Sequence, residues 1–312
     1  MATITAKDVA ALRERTGVGM MDCKRALTEA EGDMEKAIVL LREKGLATQA
    51  KKSGRIAAEG LVMAVVDPAK KAGCVLEVNS ETDFVAKNEA FVGFVKNVAQ
   101  TIIDTNPADV DDLKTKTISG GSITVEAELQ ELFLKIRENL QIRRFERMEG
   151  ILVPYIHGEG KIAVLVNLES DIAADNADLL AVGKDCALQI AAMNAPYLNK
   201  EAVPADVLAE EKRIMMAQMS EDPKMANKPE QVIAKIVEGK IGKYYTENCL
   251  LDQVFVKDGD YTVQKYIDKV AKDLGGSIKV TNYVRYERGE GIQKRVDDFA
   301  AEVENMAKTS SN

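Results

Sequence analysis

An internal duplication constrains this chain's fold more than any other feature, because two copies of one pattern must fold as two copies of one unit. Glu59-Gly60-Leu61-Val62 is echoed by Glu149-Gly150-Ile151-Leu152, each opening an apolar strand. A turn and a second strand follow in both, at residues 74–79 and 163–167. The echo then holds strict register: Glu81-Thr82-Asp83 becomes Glu169-Ser170-Asp171 at an offset of 88, and Ala86, Asn88 and Lys96 meet Ala174, Asn176 and Lys184. A helix follows in each copy. The ends match as well, with Arg144-Phe145-Glu146-Arg147-Met148-Glu149-Gly150 resembling Arg285-Tyr286-Glu287-Arg288-Gly289-Glu290-Gly291, so residues 142–147 and 280–287 are expected to form the same closing strand. Thr124-Val125 and Thr262-Val263 open the helix before it, with each threonine placed as a cap. The unit is therefore hairpin, helix, helix, strand. Antiparallel sheets with helices on one face bury such a pattern, which makes the class α+β, with related subdomains at 59–148 and 149–292 sharing an interface.

Segments outside the duplication read as helical. In residues 1–46, Thr5 and Asp8 form a capping pair ahead of Val9 and Leu12, and Gly17 stops that helix. A second helix runs to Ala30 and Gly32; Asp33 caps a third, with Ile38 and Leu41 inward and Gly45 as its end. Residues 47–58, with Lys51, Lys52, Ser53 and Gly54, are polar, basic and aperiodic, and read as a linker. The second copy carries an insertion at about 199–250 that the first lacks. Pro204 starts a helix with Val207, Leu208, Ile214 and Met215, the 221–229 stretch breaks it, and a return helix carries Val232, Ile233, Ile236, Val237 and Tyr244, which predicts a protruding helical hairpin. In the 293–312 module, Val296, Phe299, Val303 and Met306 continue a helical spacing begun at Ile292.

Composition removes several function classes. The chain has 312 residues, of which 46% are hydrophobic and 29% charged, enough for a sizeable core divided into two or three modules. A net charge of −8 argues against the broad basic surface of a sequence-independent nucleic-acid binder. No apolar run approaches the roughly 20 residues that span a bilayer, and the first residues lack a secretory pattern, so a cytoplasmic address without membrane attachment is expected. Cys23, Cys74, Cys186 and Cys249 are too scattered for metal-ligand spacing and read as reduced, buried thiols. One histidine in the whole chain leaves little room for acid–base catalysis.

The candidate chemistry is correspondingly sparse. Gly158-Glu159-Gly160 and Gly289-Glu290-Gly291 stop short of any phosphate-binding pattern and read as turns. His157 sits beside the first of them, with no adjacent nucleophile. More informative is Thr82-Asp83-Phe84-Val85-Ala86-Lys87-Asn88, between a buried strand and a helix carrying Phe91, Phe94, Val95 and Val98. The second copy replaces Phe84 by Ile172 and Lys87 by Asp175, so local function belongs to the first copy. Spacing by itself favours Phe84 as core and Asp83 as a cap over a protruding contact. Met20 and Met21, followed by Asp22, Cys23 and Lys24, cannot both face one core, which leaves at least one thioether for a surface.

Taken in order, Arg13-Glu14-Arg15-Thr16-Gly17, Met20-Met21-Asp22-Cys23-Lys24, Thr82-Asp83-Phe84-Val85-Ala86-Lys87 and Arg285-Tyr286-Glu287 with Gly289-Glu290-Gly291 resemble the motifs of bacterial translation elongation factor Ts. The resemblance covers essentially the whole chain. It implies a ubiquitin-associated-like helical head, a duplicated core, a helical hairpin and a C-terminal helical module. It also implies the activity, guanine nucleotide exchange on the GTPase elongation factor Tu; no cofactor and no metal are expected, and the complex is left open as one-to-one or, as a dimer, two-to-two. Carried over by position, Thr82, Asp83, Phe84 and Val85 disturb the partner's magnesium site, while Met20, Met21, Asp22 and Lys24 contact its nucleotide domain. His157 falls near a second contact region.

Two readings of other classes compete. A hydrolase using Asp83 with His157 or Glu159 requires those groups to converge in a cleft. An adaptor binding a helical or ubiquitin-like partner through the head alone leaves the duplicated core without a role.

Overall fold

The computed structural model describes residues 4–221 and 230–293. Its first three helices are α1 (Ala6–Thr16), α2 (Met20–Glu29) and α3 (Met34–Lys52). Thr5 and Asp8 cap α1 reciprocally, and Gly17 ends it with φ 67°, where a side chain on Cβ is disfavoured. The Asp33 carboxylate accepts from Lys36 N and starts α3. Leu12, Val18, Cys23 and Leu27 form the centre of the head. Gly45 does not end α3 as the sequence suggests. The helix runs on to Lys52, and Gly45 lies where a core helix crosses it, so that a Cβ there would sit 2.1 Å from Leu134 Cδ2. Its missing side chain serves close packing, and the first half of the stretch read as linker, up to Lys52, is helix.

The first copy contains β1 (Glu59–Asp67), β2 (Ala72–Ser80), α4 (Asp83–Ala86), α5 (Glu89–Thr105), α6 (Val110–Thr115), α7 (Val125–Ile136) and β3 (Gln141–Glu149). The second contains β4 (Ile151–His157), β5 (Ile162–Ser170), α8 (Ala177–Met193), the inserted helices α9 (Ala205–Glu221) and α10 (Glu230–Asn248), then α11 (Val263–Asp273) and β6 (Ile278–Glu287). Each copy makes an antiparallel three-stranded sheet, in the orders β1-β2-β3 and β4-β5-β6. The paired Glu-Gly echo has a physical cause. Gly60 and Gly150 have φ of 112° and 137°, and in each copy an asparagine on the neighbouring strand donates to the preceding glutamate carbonyl, Asn79 to Glu59 at 3.1 Å and Asn167 to Glu149 at 3.0 Å.

Alternation on the strands produces four layers. Leu61, Met63, Cys74 and Leu76 face α5 and α7, whereas Val62, Ala64 and Val75 meet Leu152, Ala163 and Leu165 of the other sheet. Val164, Val166 and Leu168 in turn face α8 and α11. Strands covered on both sides read as continuous apolar runs, which is how β1 and β2 appear in the sequence. The helical hairpin packs through Met219, Val237 and Ile241, with Ile233 and Ile236 half-buried beside them. Residues 222–229, which join its two helices, and the expected terminal helix from Val296 to Met306 lie outside the described residues.

Candidate functional site

The turn after β2 is built to hold one aromatic ring out in solvent. The short helix α4 sends Val85 and Ala86 into the core of the first copy, and these two anchor it. The positions beside them then face outward: Asp83 is exposed, and Phe84 is 82% exposed. Phe84 as a core residue, the assignment that spacing favoured, is therefore overturned, because its neighbours occupy the inward positions. Val85, grouped with the contact residues in the sequence, is the buried anchor instead.

Hydrogen bonds set the start of the turn. Thr82 occupies the N-cap position of α4 but its hydroxyl does not cap that helix. Thr82 N donates to Glu138 Oε2 at 2.9 Å, and Thr82 Oγ1 to Glu138 Oε1 at 2.7 Å. Ser80 Oγ donates to Thr82 O at 2.9 Å. Beyond the turn Asn88 caps α5, accepting from Ala90 N and Phe91 N. The corresponding turn of the second copy folds back on its own subdomain: Ile172 packs against that core, and Asp171 accepts from Ser277 N at 2.6 Å.

Asp83, Ala86 and Lys87 form one wall of a groove of ≈ 510 Å³, whose other walls include Ile156, Glu159 and Arg288. The β4–β5 turn is pinned there by Val62 N donating to Gly160 O at 3.0 Å. Gly158-Glu159-Gly160 is thus a turn that docks on β1. His157, at the end of β4, is exposed, and its Nδ1 hydrogen bonds with Tyr155 OH at 3.0 Å. Asp83 and Glu159 share the groove, as an acid–base enzyme would require, but its lining contains no Ser, Thr, Cys or Tyr to act as nucleophile. Burial pushes the thiols of Cys74 and Cys186 up to about 12 and that of Cys249 to about 11, so they stay protonated near neutral pH. Among the described residues no cluster of His, Cys, Asp and Glu is placed to hold a metal ion, and no helix is long and apolar enough to cross a membrane.

On the head, both methionines face outward, Met20 at 49% and Met21 at 66% exposure, next to exposed Lys24. Asp22 is half-buried and pairs with Arg25 and with Arg137 at the end of α7. The turn 137–139 therefore touches both regions singled out in the sequence: Arg137 reaches the head helix and Glu138 the turn bearing Phe84. Asn139, buried beside them, donates from Nδ2 to Arg55 O at 2.8 Å and from its backbone N to Glu81 Oε1 at 2.6 Å. These three residues escaped the sequence reading. Their pairings span 56 to 115 positions of chain, a separation no local pattern encodes.

A family model described as Elongation factor TS matches residues 81–290. The chain is 49% identical over 307 residues to Elongation factor Ts of Clostridium tetani (strain Massachusetts / E88), covering 97% of this chain and 99% of that relative. It is 47% identical over 311 residues to Elongation factor Ts of Clostridium novyi (strain NT), covering 97% and 98%. With Elongation factor Ts of Clostridium perfringens (strain SM101 / Type A) it shares 48% identity over 306 residues, covering 97% and 99%.

Proposed function

The chain belongs to the elongation factor Ts family and is a translation elongation factor, and from that premise we propose that it is a guanine nucleotide exchange factor, expelling GDP from elongation factor Tu without covalent chemistry of its own. One observation carries this reading: Phe84, a large apolar ring, is 82% exposed on a turn whose neighbours are locked into the core. Such a ring gains by burial only when a second molecule covers it.

Exchange requires the factor to bind the empty GTPase more tightly than the loaded one, since only differential affinity shifts an equilibrium, and nucleotide must expel the factor in return. A preference of ~10⁴-fold corresponds to about 5.5 kcal/mol. Burying one aromatic side chain contributes about 1.5–3 kcal/mol, so Phe84 requires help. In this reading Phe84 wedges beside the segment that holds the partner's magnesium ion, and Asp83 accepts hydrogen bonds from the displaced backbone. Met20, Met21 and Lys24, flanking Asp22 on the head, hold the nucleotide domain, and His157 adds a contact across the groove.

Stopped-flow release of a fluorescent GDP from elongation factor Tu tests the wedge directly. Phe84→Ala should slow stimulated release about 10- to 100-fold, the kinetic equivalent of the lost burial. Release at the wild-type rate from the Phe84→Ala protein would remove the central residue of this mechanism.

A further inference from the structure

Arg137 is in an unusual place for an arginine. It follows the last residue of α7 in the left-handed region, with φ 66°, where glycine or asparagine is the ordinary choice. Its backbone N donates to Phe133 O at 2.8 Å, as a helix-ending residue should, and its Nε donates to Leu134 O at 3.0 Å. The guanidinium then continues to Asp22, on the exposed head helix that carries Met20 and Met21. A side chain held in a backbone conformation that disfavours it points to a role for the side chain.

The next two residues turn the other way. Both carboxylate oxygens of Glu138 are taken by the N–H and hydroxyl of Thr82, at 2.9 and 2.7 Å, immediately before Asp83 and Phe84. Asn139, 3% exposed, closes the arrangement through the 2.6 Å bond from its backbone N to Glu81 Oε1 and through Nδ2 bonds to Ser53 O and Arg55 O, where α3 hands over to β1. Three consecutive residues thus bond to the head helix, to the Phe84 turn and to the chain between them.

We propose that Arg137-Glu138-Asn139 is a positioning bridge that holds the head's partner-binding helix and the Phe84 turn at one fixed separation, so that seating the head on the GTPase delivers the ring to its target. The proposal rests on the exchange reading for its consequence, but the rigidity it asserts is a property of the free protein. Two contact surfaces joined rigidly at the right spacing engage as one, whereas a loose joint leaves the second surface searching after the first has bound. Loosening the bridge leaves head binding in place and lowers the release rate at saturation. A merely structural role would lower stability without that split.

The full-length protein supplies both tests. Spin labels on cysteines introduced as Lys24→Cys and Lys87→Cys report the separation, since the four native thiols are buried. Double electron–electron resonance should show one narrow distance distribution that broadens when Arg137→Gly and Glu138→Ala are added. A distribution that stays equally narrow overturns the bridge, whatever the kinetics. In stopped-flow release, Arg137→Gly should keep or raise Tm, because glycine suits the left-handed backbone, yet cut the saturating rate about 10- to 100-fold, the scale of a misplaced group. The factor concentration at half-saturation should move by less than about twofold, because the head surface itself is untouched. Glu138→Gln retains an acceptor for Thr82 N and should stay close to wild type, while Glu138→Ala should not. A double-mutant cycle completes the set: the loss caused by Arg137→Gly should largely vanish when Phe84→Ala is already present. Equal losses in both backgrounds overturn the proposal. Phe84→Ala releasing GDP at the wild-type rate strikes the exchange reading alone, and the label distances still decide the bridge.

Discussion

Phe84 and Phe91 are seven positions apart and have opposite fates. The first is 82% exposed; the second is fully buried against β1 and β2 at the first turn of α5. Removing an exposed ring changes stability by less than about 0.5 kcal/mol, while truncating a buried phenylalanine costs about 3–5 kcal/mol. Urea denaturation should therefore find Phe84→Ala close to wild type and Phe91→Ala severely destabilised. A large loss from Phe84→Ala would mean that the ring is covered within the monomer. Gly45 gives a second contrast at this scale. A larger side chain would collide with Leu134, so Gly45→Leu should destabilise head docking by about 1–3 kcal/mol, seen as faster hydrogen exchange in α1–α3 with the sheets unaffected.

Among the elements, α5 and α8 are the same device used twice. Each has 17 residues, each begins at an asparagine whose side chain accepts from two backbone N–H groups, and each ends at an asparagine in the left-handed region, Asn106 at φ 45° and Asn194 at φ 47°. The short side chain of asparagine tolerates that backbone, and as an N-cap it satisfies amides that the helix leaves unpaired. Asn88→Ala and Asn176→Ala should each cost about 1 kcal/mol in chemical denaturation. A cost confined to one copy would show that the caps are not equivalent. The helices that lead into the closing strands, α7 and α11, repeat the theme, with Thr124 accepting from Ala127 N and Thr262 from Lys265 N. What the copies do not share is the turn between hairpin and helix, folded inward around Ile172 in the second and outward around Phe84 in the first.

At the scale of the molecule, the two sheets are clasped by a buried carboxylate. Glu77 on β2 is 0% exposed and accepts from Arg143 at 3.0 and 3.1 Å, from Arg144 at 2.7 Å, from Asn79 at 3.1 Å and from Gly289 N, beyond β6, at 2.8 Å. Arg143 also donates to Glu290 O at 2.6 Å, tying the end of the second copy to the first. Burial alone would raise the Glu77 carboxyl, but the Gly289 N–H, Asn79 and the two arginines outweigh it and hold the group below the usual glutamate range. A depressed carboxylate stabilises the fold fully above its unfolded pKa of about 4.3 and loses that contribution as pH falls through its lower folded value. Acid unfolding followed by circular dichroism should therefore show a stability loss beginning below about pH 4.3 that Glu77→Gln makes smaller, while Asp104 and Asp171, also held low, keep their share. At neutral pH the same substitution should cost about 3 kcal/mol, since it removes the buried charge that Arg143 and Arg144 share, and of the two only Arg144 keeps a second carboxylate, that of Glu290. A Glu77→Gln protein as stable as wild type at pH 7 would show that the clasp contributes nothing net.

Features whose energetics close within a few residues are legible in the sequence by itself. The duplication, the strands, the caps at Thr5, Asp33, Thr124 and Thr262 and the helical hairpin all depend on periodicity and on side chains bonding amides two or three positions away. Packing decided the remainder. A four-residue helix has too little length for periodicity to say which side of Phe84 faces the core, and Gly45 reads as a helix stop until Leu134 is seen crossing it. Glu138 and Arg137 acquire meaning only when folding brings them against Thr82 and Asp22, because the free energy of those pairings depends on surroundings that distant segments supply.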